Sequence, residues 1–217
     1  MIISTEMLRG LIKILKKIPV DFGQYEVRRT TKGKQIAFSL LGEGAGKAAL
    51  DVGCRDGFWS EKLKARGYAV TSIDLETNYP GALIVDADGP LPFPDAAFDV
   101  IWCSEVIEHL RNPEFTLAEF RRVLRPGGQL LMTTPNNSFW FFQLFERSGI
   151  GISAVQNEDH KQFFTFQSMR RLLPSSEQWG FYPYLLVKHT AREGALASLL
   201  SPTIVTRYVN SGNGARS

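Results

Sequence analysis

From residue 48 onward, short apolar runs of strand length alternate with stretches whose apolar residues recur at helical spacing. That alternation predicts a parallel sheet with helices on both faces. Residues 48–54 read as a buried strand. Residues 58–66 read as a short helix with Leu63 inward, Glu61, Lys62 and Lys64 outward, and Gly67 as its stop. Further strands are expected at 69–75, 83–86 and 98–104, with Pro90, Pro92 and Pro94 marking a turn-rich link. Asn112 caps the next helix and Pro113 takes its first position, where a missing N–H is harmless. Leu117, Phe120 and Leu124 line its buried face, and Pro126-Gly127-Gly128 ends it before a strand at 129–134. Thr165 caps a helix carrying Phe166, Met169, Leu172 and Leu173, closed by Pro174. Strands at 181–189 and 203–209 complete the expected fold. It is a doubly wound, Rossmann-like α/β domain on a mostly parallel seven-stranded sheet, the last strand antiparallel.

Three regions follow. Residues 1–44 form an N-terminal helical segment, in which Leu8, Leu11, Ile12 and Leu15 make one amphipathic face. It serves as a lid or substrate segment, the alternative being a helix in peripheral contact with a membrane surface. Arg9, Lys13, Lys16 and Lys17 interrupt the apolar residues, so the segment resembles neither a signal peptide nor a membrane span. Residues 45–210 make the main domain, with an aromatic insertion at 138–160, and residues 211–217 read as a frayed, disordered tail.

A 217-residue chain suits one well-cored α/β domain. Its net charge of +3 does not argue for nucleic acid, and its basic residues bunch at Lys13, Lys16, Lys17, Arg28, Arg29, Lys32 and Lys34. Cys54 and Cys103 both lie in apolar strand patterns, which suits buried thiols in a reducing, cytoplasmic setting.

The chemistry concentrates at Asp51-Val-Gly-Cys-Arg-Asp-Gly57, where an apolar strand runs through a glycine-bearing turn into a helix. Gly53 permits the sharp turn, and Gly57 lets the helix start approach a ligand. Asp51 and Asp56 put carboxylates where a pyrophosphate would want bare N–H groups, so a cationic ligand fits better. The G-x-G-x-x-G spacing of a nicotinamide site is also missing. Asp74 ends the next strand 21 positions after Gly53, where α/β nucleotide sites bind ribose hydroxyls.

These residues, with Leu91-Pro-Phe-Pro-Asp-Ala-Ala-Phe-Asp-Val-Ile-Trp-Cys-Ser-Glu-Val-Ile-Glu-His109 and Arg122-Val-Leu-Arg-Pro-Gly-Gly128, resemble the successive motifs of class I S-adenosylmethionine (SAM)-dependent methyltransferases. The subgroup resembled is the ubiquinone-biosynthesis-like, or methyltransferase type 11, one. The resemblance implies that Asp51, Gly53, Cys54, Asp56 and Gly57 surround the methionine part of SAM. It implies that Asp74 and Leu75 hold the ribose side, that Asp86 and the Ala87 N–H face adenine, and that Cys103 and Ser104 floor the sulfonium. Two departures stand out: Arg55 replaces the middle glycine of the turn, and only seven residues separate Asp74 from Ala82, too few for a helix.

Glu105-Val-Ile-Glu108-His109 follows the fourth strand. If it forms a helical turn, Glu105, Glu108 and His109 share a face. Two carboxylates and an imidazole make a mixed site for Mg²⁺, Mn²⁺ or Zn²⁺, with His160 as a fourth ligand. The pairing with Asp159-His-Lys-Gln-Phe-Phe-Thr165 resembles metal-assisted small-RNA 2′-O-methyltransferases. Three roles stay open: His109 as a metal-free base, aided by Glu108; a metal site; or a hydrogen-bonded turn. The expected activity is methyl transfer from SAM to a small-molecule acceptor, foremost a hydroxyl. Metal-assisted RNA 2′-O-methylation and a non-catalytic SAM-fold binding protein are the alternatives. Phe139, Trp140, Phe141, Phe142, Leu144 and Phe145 belong either to the core or to a lid over an aromatic or apolar acceptor.

Overall fold

A computed structural model describes residues 29–147, 159–182 and 189–212, without the side chains of Phe145 and His189. The amphipathic helix expected around Leu8–Leu15 and residues 213–217 of the tail lie outside the described residues.

In chain order the elements are α1 (Lys32–Ser39), β1 (Ala48–Val52), α2 (Phe58–Ala65), β2 (Ala69–Asp74), β3 (Leu83–Ile84), β4 (Phe98–Ser104), a 3₁₀ turn (Ile107–His109) and α3 (Pro113–Val123). They continue as β5 (Leu124–Pro135), α4 (Trp140–Arg147), α5 (Phe166–Leu172), β6 (Glu177–Tyr182), β7 (His189–Arg192), α6 (Ala195–Leu200) and β8 (Thr203–Val209). The sheet order is β3-β2-β1-β4-β5-β8-β6-β7. β1 to β5 run parallel, and β8 enters antiparallel between β5 and β6.

Strand alternation explains the two cores. Along β4, Ile101 and Cys103 face a core shared with Leu117 and Phe120 of α3 and Met169 of α5. Val100 and Trp102 face the other side, with Ile36 and Ala37 of α1 and Leu63 of α2. There Trp59 stacks on Trp102 at 4.7 Å between ring centres, and Phe38 lies 5.2 Å from Trp59, seating α1 and α2 together on β4. Asn112 caps α3 by accepting from the Phe115 N–H at 3.1 Å, with Pro113 at the first position as expected. Thr165 caps α5 through reciprocal bonds with Ser168.

The sheet has eight strands where seven were expected. The strand expected at 181–189 is divided: Phe181 and Tyr182 end β6, and His189, which pairs antiparallel with Tyr182, opens β7, while residues 183–188 lie outside the described residues. β6 begins at Glu177, ahead of the apolar run, and its Gln178 is buried. β3 is only two residues long, and β5 starts at Leu124, because Leu124 leaves the helical backbone and pairs with Phe98. The short connection after Asp74 contains no helix.

Candidate functional site

Open α/β sheets bind ligands beyond the carboxyl ends of the strands, where the strand order reverses. Here that point lies between β1 and β4. A cleft of about 920 Å³ opens there, lined by Gly53, Asp74, Asp86, Glu105 and Glu108 among others. Six carboxyl side chains border it (Asp74, Asp86, Asp88, Glu105, Glu108, Asp159), Asp86 and Asp88 being paired with Arg111, and the lining includes two permanent cations, Arg55 and Lys161.

The turn after β1 is built for sharp reversal. Gly53 and Gly57 have φ of 74° and 77°, and Arg55 holds the same left-handed region at 50°. Arg55 therefore takes the backbone shape of the glycine it replaces, with its exposed side chain at the cleft. The Gly53 and Cys54 N–H groups both donate to the Ile73 carbonyl, at 2.9 and 3.1 Å. A Cβ on Gly53 would sit 2.3 Å from Val106, so the turn touches the segment after β4. Asp74 ties the turn from β2: its Oδ2 accepts from the Arg55 N–H at 2.7 Å and its Oδ1 from the Glu76 N–H at 3.2 Å.

The connection after β2 folds back on the turn. Thr77 donates its hydroxyl to the Arg55 carbonyl, and the Tyr79 ring lies so close to Gly57 that a Cβ there would meet it at 2.2 Å. The Tyr79 hydroxyl donates to Glu61 and accepts from Lys64 at 2.8 Å. Sequence reasoning missed Thr77 and Tyr79. The missing helix was the available signal, since a connection too short to cross the sheet face has to lie against its edge. Gly57 thus meets a neighbouring ring rather than the cleft.

The expected cofactor residues divide. Gly53, Asp74, Leu75, Asp86, Ala87 and Ser104 line the cleft, Leu75 with 68% exposure. Asp51, Cys54, Asp56, Gly57 and Cys103 are not among its lining residues. Asp56 pairs with Arg29, and Cys103 is fully buried. Asp51 is also buried, accepting from the Ser60 hydroxyl at 2.5 Å, with Ser60 and Ser72 linked at 2.7 Å. Desolvation pushes the Asp51 carboxyl up to about 6; Ser60 and Lys34 pull it down, and Asp74 adds to the rise.

On the β4 side, Glu105 adopts a φ of 57° and turns its carboxylate to Thr133, which donates at 2.8 Å. Ser104 and Thr133 join at 2.8 Å. Glu108 and His109 sit on the 3₁₀ turn. Glu108 is buried; its Oε2 accepts from Thr134 at 3.0 Å, while its Oε1 has no partner among the described residues. Burial, then the neighbouring Glu105, hold the Glu108 carboxyl well above the usual range. The Glu108 carbonyl accepts from the Lys161 and Gln162 N–H groups, both at 2.9 Å, which brings the 159–165 segment to the site. His109 Nδ1 lies 3.3 Å from the Asp159 carbonyl, and the His109 and His160 rings meet edge to face at 4.8 Å. Ligand atoms of Glu108, His109 and His160 all lie within 4.8 Å of one another, a group without Glu105.

The aromatic stretch splits as well. Phe139 and Phe142 are buried, whereas Trp140 and Leu144 face a separate groove with Ser138, Gln143, Arg147 and Leu199. None of Phe139, Trp140, Phe141, Phe142, Gln143 and Leu144 lines the main cleft.

A family model described as a methyltransferase domain matches residues 26–182, which takes in the cofactor turn, Asp74, the 3₁₀ turn and the 159–165 segment. The chain belongs to the methyltransferase-domain family. Within that family, a ubiquinone biosynthesis O-methyltransferase of Azoarcus sp. is 37% identical over 109 residues, covering 44% of this chain and 47% of that protein. A malonyl-[acyl-carrier protein] O-methyltransferase of Serratia marcescens is 33% identical over 127 residues, covering 52% and 48%. This methyltransferase chain therefore spans about half the length of the curated relatives it matches. Among solved structures, a SAM-dependent methyltransferase of Thermotoga maritima, described as a possible histamine N-methyltransferase, shares the fold. Its TM-score is 0.65 at 15% identity, over 95% of this chain and all of that one.

Proposed function

We propose that this chain transfers a methyl group from SAM to a hydroxyl of a small-molecule acceptor, with His109 taking the hydroxyl proton. The observation that carries the reading is the acidic cleft at the β1/β4 switch point, with Asp74 on its first half and Glu108 and His109 on its second. The donor set fits an adenosyl sulfonium. Each Asp74 oxygen accepts one backbone N–H, which leaves acceptor capacity on both for two neighbouring ribose hydroxyls. The excess of carboxylates suits a cation and disfavours a pyrophosphate. When bound, the donor supplies a methyl group already activated on a cationic sulfur.

The residues then have little to do beyond alignment and proton removal. His109 Nδ1 faces a carbonyl, which only accepts, so the proton sits on Nδ1 and Nε2 carries the basic lone pair. Glu108 holds its carboxyl group beside that ring, where it can orient the acceptor hydroxyl. O-methylation is supported by the names of the Azoarcus and Serratia relatives. The reading includes residues 1–44 as a lid, supported by the Arg29–Asp56 pair across the cofactor turn, and the 138–160 insertion as an acceptor-shaping element. Two free, buried thiols support a cytoplasmic setting. Among the described residues no helix is long and apolar enough to cross a membrane.

Calorimetry with S-adenosylhomocysteine tests the donor half of the proposal, and the absence of heat for both it and SAM sinks it. Near-normal turnover by His109→Ala on the hydroxyl acceptor sinks the base.

The Glu108–His109–His160 group favours a second reading, in which a divalent ion activates the hydroxyl. Zinc–ligand distances of about 2.0–2.2 Å require ligand atoms closer together than the widest separation here, so the three side chains would have to draw in. Full activity in chelator, with no metal in the purified protein, excludes it.

A further inference from the structure

Two buried threonines in succession, Thr133 and Thr134, stand near the carboxyl end of β5. Each reaches one glutamate of the segment after β4: Thr134 donates to Glu108 at 3.0 Å and Thr133 to Glu105 at 2.8 Å. The Thr133 contact is double, because the Glu105 N–H donates to the Thr133 carbonyl at 2.9 Å. Ser104 pairs with Thr133 across β4 and β5, and their hydroxyl oxygens lie 2.8 Å apart. Ser104, Thr133 and Glu105 therefore form one hydrogen-bonded chain, and its polarity follows from what each group can do. A carboxylate only accepts, so the single Thr133 hydroxyl proton goes to Glu105. Thr133 then has only lone pairs to offer Ser104, so the Ser104 hydroxyl donates to Thr133. Ser104 lines the cleft, whereas Thr133 is not among the lining residues. The Ser104 oxygen thus has lone pairs for a ligand in the cleft and no proton for it.

We propose that Ser104 distinguishes the sulfonium donor from its thioether product, and that Thr133 is the positioning residue that fixes the Ser104 hydroxyl for this task. The inference rests on the SAM reading above. In that reading Asp74, at the end of β2, takes the sugar, and the base His109 follows β4. The transferred methyl then lies over the ends of β1 and β4, where Ser104 is the last strand residue. The methyl hydrogens of a sulfonium share its positive charge, and an oxygen that presents lone pairs alone attracts them through C–H···O contacts. Once the methyl has left, the sulfur is neutral and that attraction ends. One oriented oxygen thus favours the donor and lets the product go. Without Thr133 to accept it, the Ser104 proton turns toward the cleft, where it repels a cation. Glu105 sets the polarity from the far end of the chain.

The test is calorimetry of the full chain with SAM and, separately, with S-adenosylhomocysteine, for wild type, Ser104→Ala, Thr133→Val, Thr133→Ser and the Ser104→Ala/Thr133→Val double variant. The readout is the ratio of the two affinities, which a general loosening of the site does not move. Thr133→Val keeps the shape of the side chain and removes the relay, and the ratio falls about fivefold against the donor. Thr133→Ser restores the wild-type ratio. Ser104→Ala lowers the ratio as well, and adding Thr133→Val to it lowers it no further. An unchanged ratio in Thr133→Val, including one in which both ligands weaken equally, overturns the proposal and marks a packing role. A further fall in the double variant overturns the relay. If Thr133→Val does not fold, Thr133→Ala carries the same comparison. Failure of wild type to bind either ligand would instead remove the SAM reading itself.

Discussion

Replacing Asp74 with asparagine separates a residue that grips a ligand from one that merely ends a strand. The carboxylate holds the cofactor turn through the Arg55 N–H at 2.7 Å and the next turn through the Glu76 N–H at 3.2 Å. A carboxylate offers about four acceptor positions, so about two are left for the ribose hydroxyls. Asparagine has one oxygen. If that oxygen keeps Arg55, its amide N–H₂ points at the Glu76 N–H, and one acceptor position toward the ribose becomes a donor. Losing one hydrogen bond to a charged group costs about 1.5–3 kcal/mol, or roughly tenfold to 150-fold in affinity. Asp74→Ala loses both and releases the turn, so its loss is larger. The assay is calorimetric titration with S-adenosylhomocysteine and with its 2′-deoxy analogue. Wild type prefers the parent compound, and the asparagine variant loses much of that preference. Asparagine-variant binding within threefold of wild type, with the ribose preference intact, refutes the assignment.

Gly53→Ala pushes a Cβ to 2.3 Å from Val106 at a φ of 74°. A left-handed non-glycine residue costs about 1–2 kcal/mol and overpacking about 1–3 more, so urea denaturation should show a loss of about 2–5 kcal/mol. Phe120→Ala empties a fully buried site between α3 and the sheet and should cost about 3–5 kcal/mol by the same measurement. The Asp51 carboxyl is raised from 3.8 to about 6, so the folded chain binds its proton more tightly than the unfolded one. The stability this confers is full below about pH 4 and is lost as pH rises through 6, leaving ionised Asp51 a cost of up to about 3 kcal/mol at pH 7.5. Asp51→Asn should therefore melt higher than wild type at pH 7.5, with the difference vanishing near pH 4. An unchanged melting difference across that range contradicts the linkage.

The parts most legible from sequence were those with local causes. Asn112, Pro113 and Thr165 set helix starts through their own caps, and the runs at 98–104 and 203–209 became β4 and β8. The two strands β6 and β7 were hidden because the apolar stretch at 181–189 overlaps only the end of β6 and the first residue of β7, and because buried Gln178 reads as a loop residue. At the site, the glycine turn and Asp74 were readable because backbone reversal and ribose binding demand particular residue types. The convergence of Glu105 with Glu108 and His109 presumed a regular helical turn. The backbone instead makes a left-handed residue followed by a 3₁₀ turn, which sends Glu105 to Thr133. Tyr79 was hidden for another reason: it packs on Gly57, 22 positions earlier in the sequence, and only the fold brings the two together.

The position of β8 bears on how the chain reaches this state. β6 and β7 leave the ribosome before β8, yet neither pairs with β5; the strand that joins them to the sheet is synthesised after both. The hairpin must wait beside a half-built sheet whose β5 edge is bare. Translation stalled before Thr203 should therefore yield a nascent chain open to proteolysis between β5 and β6. Emergence of the next seven residues should close that gap in one cooperative step.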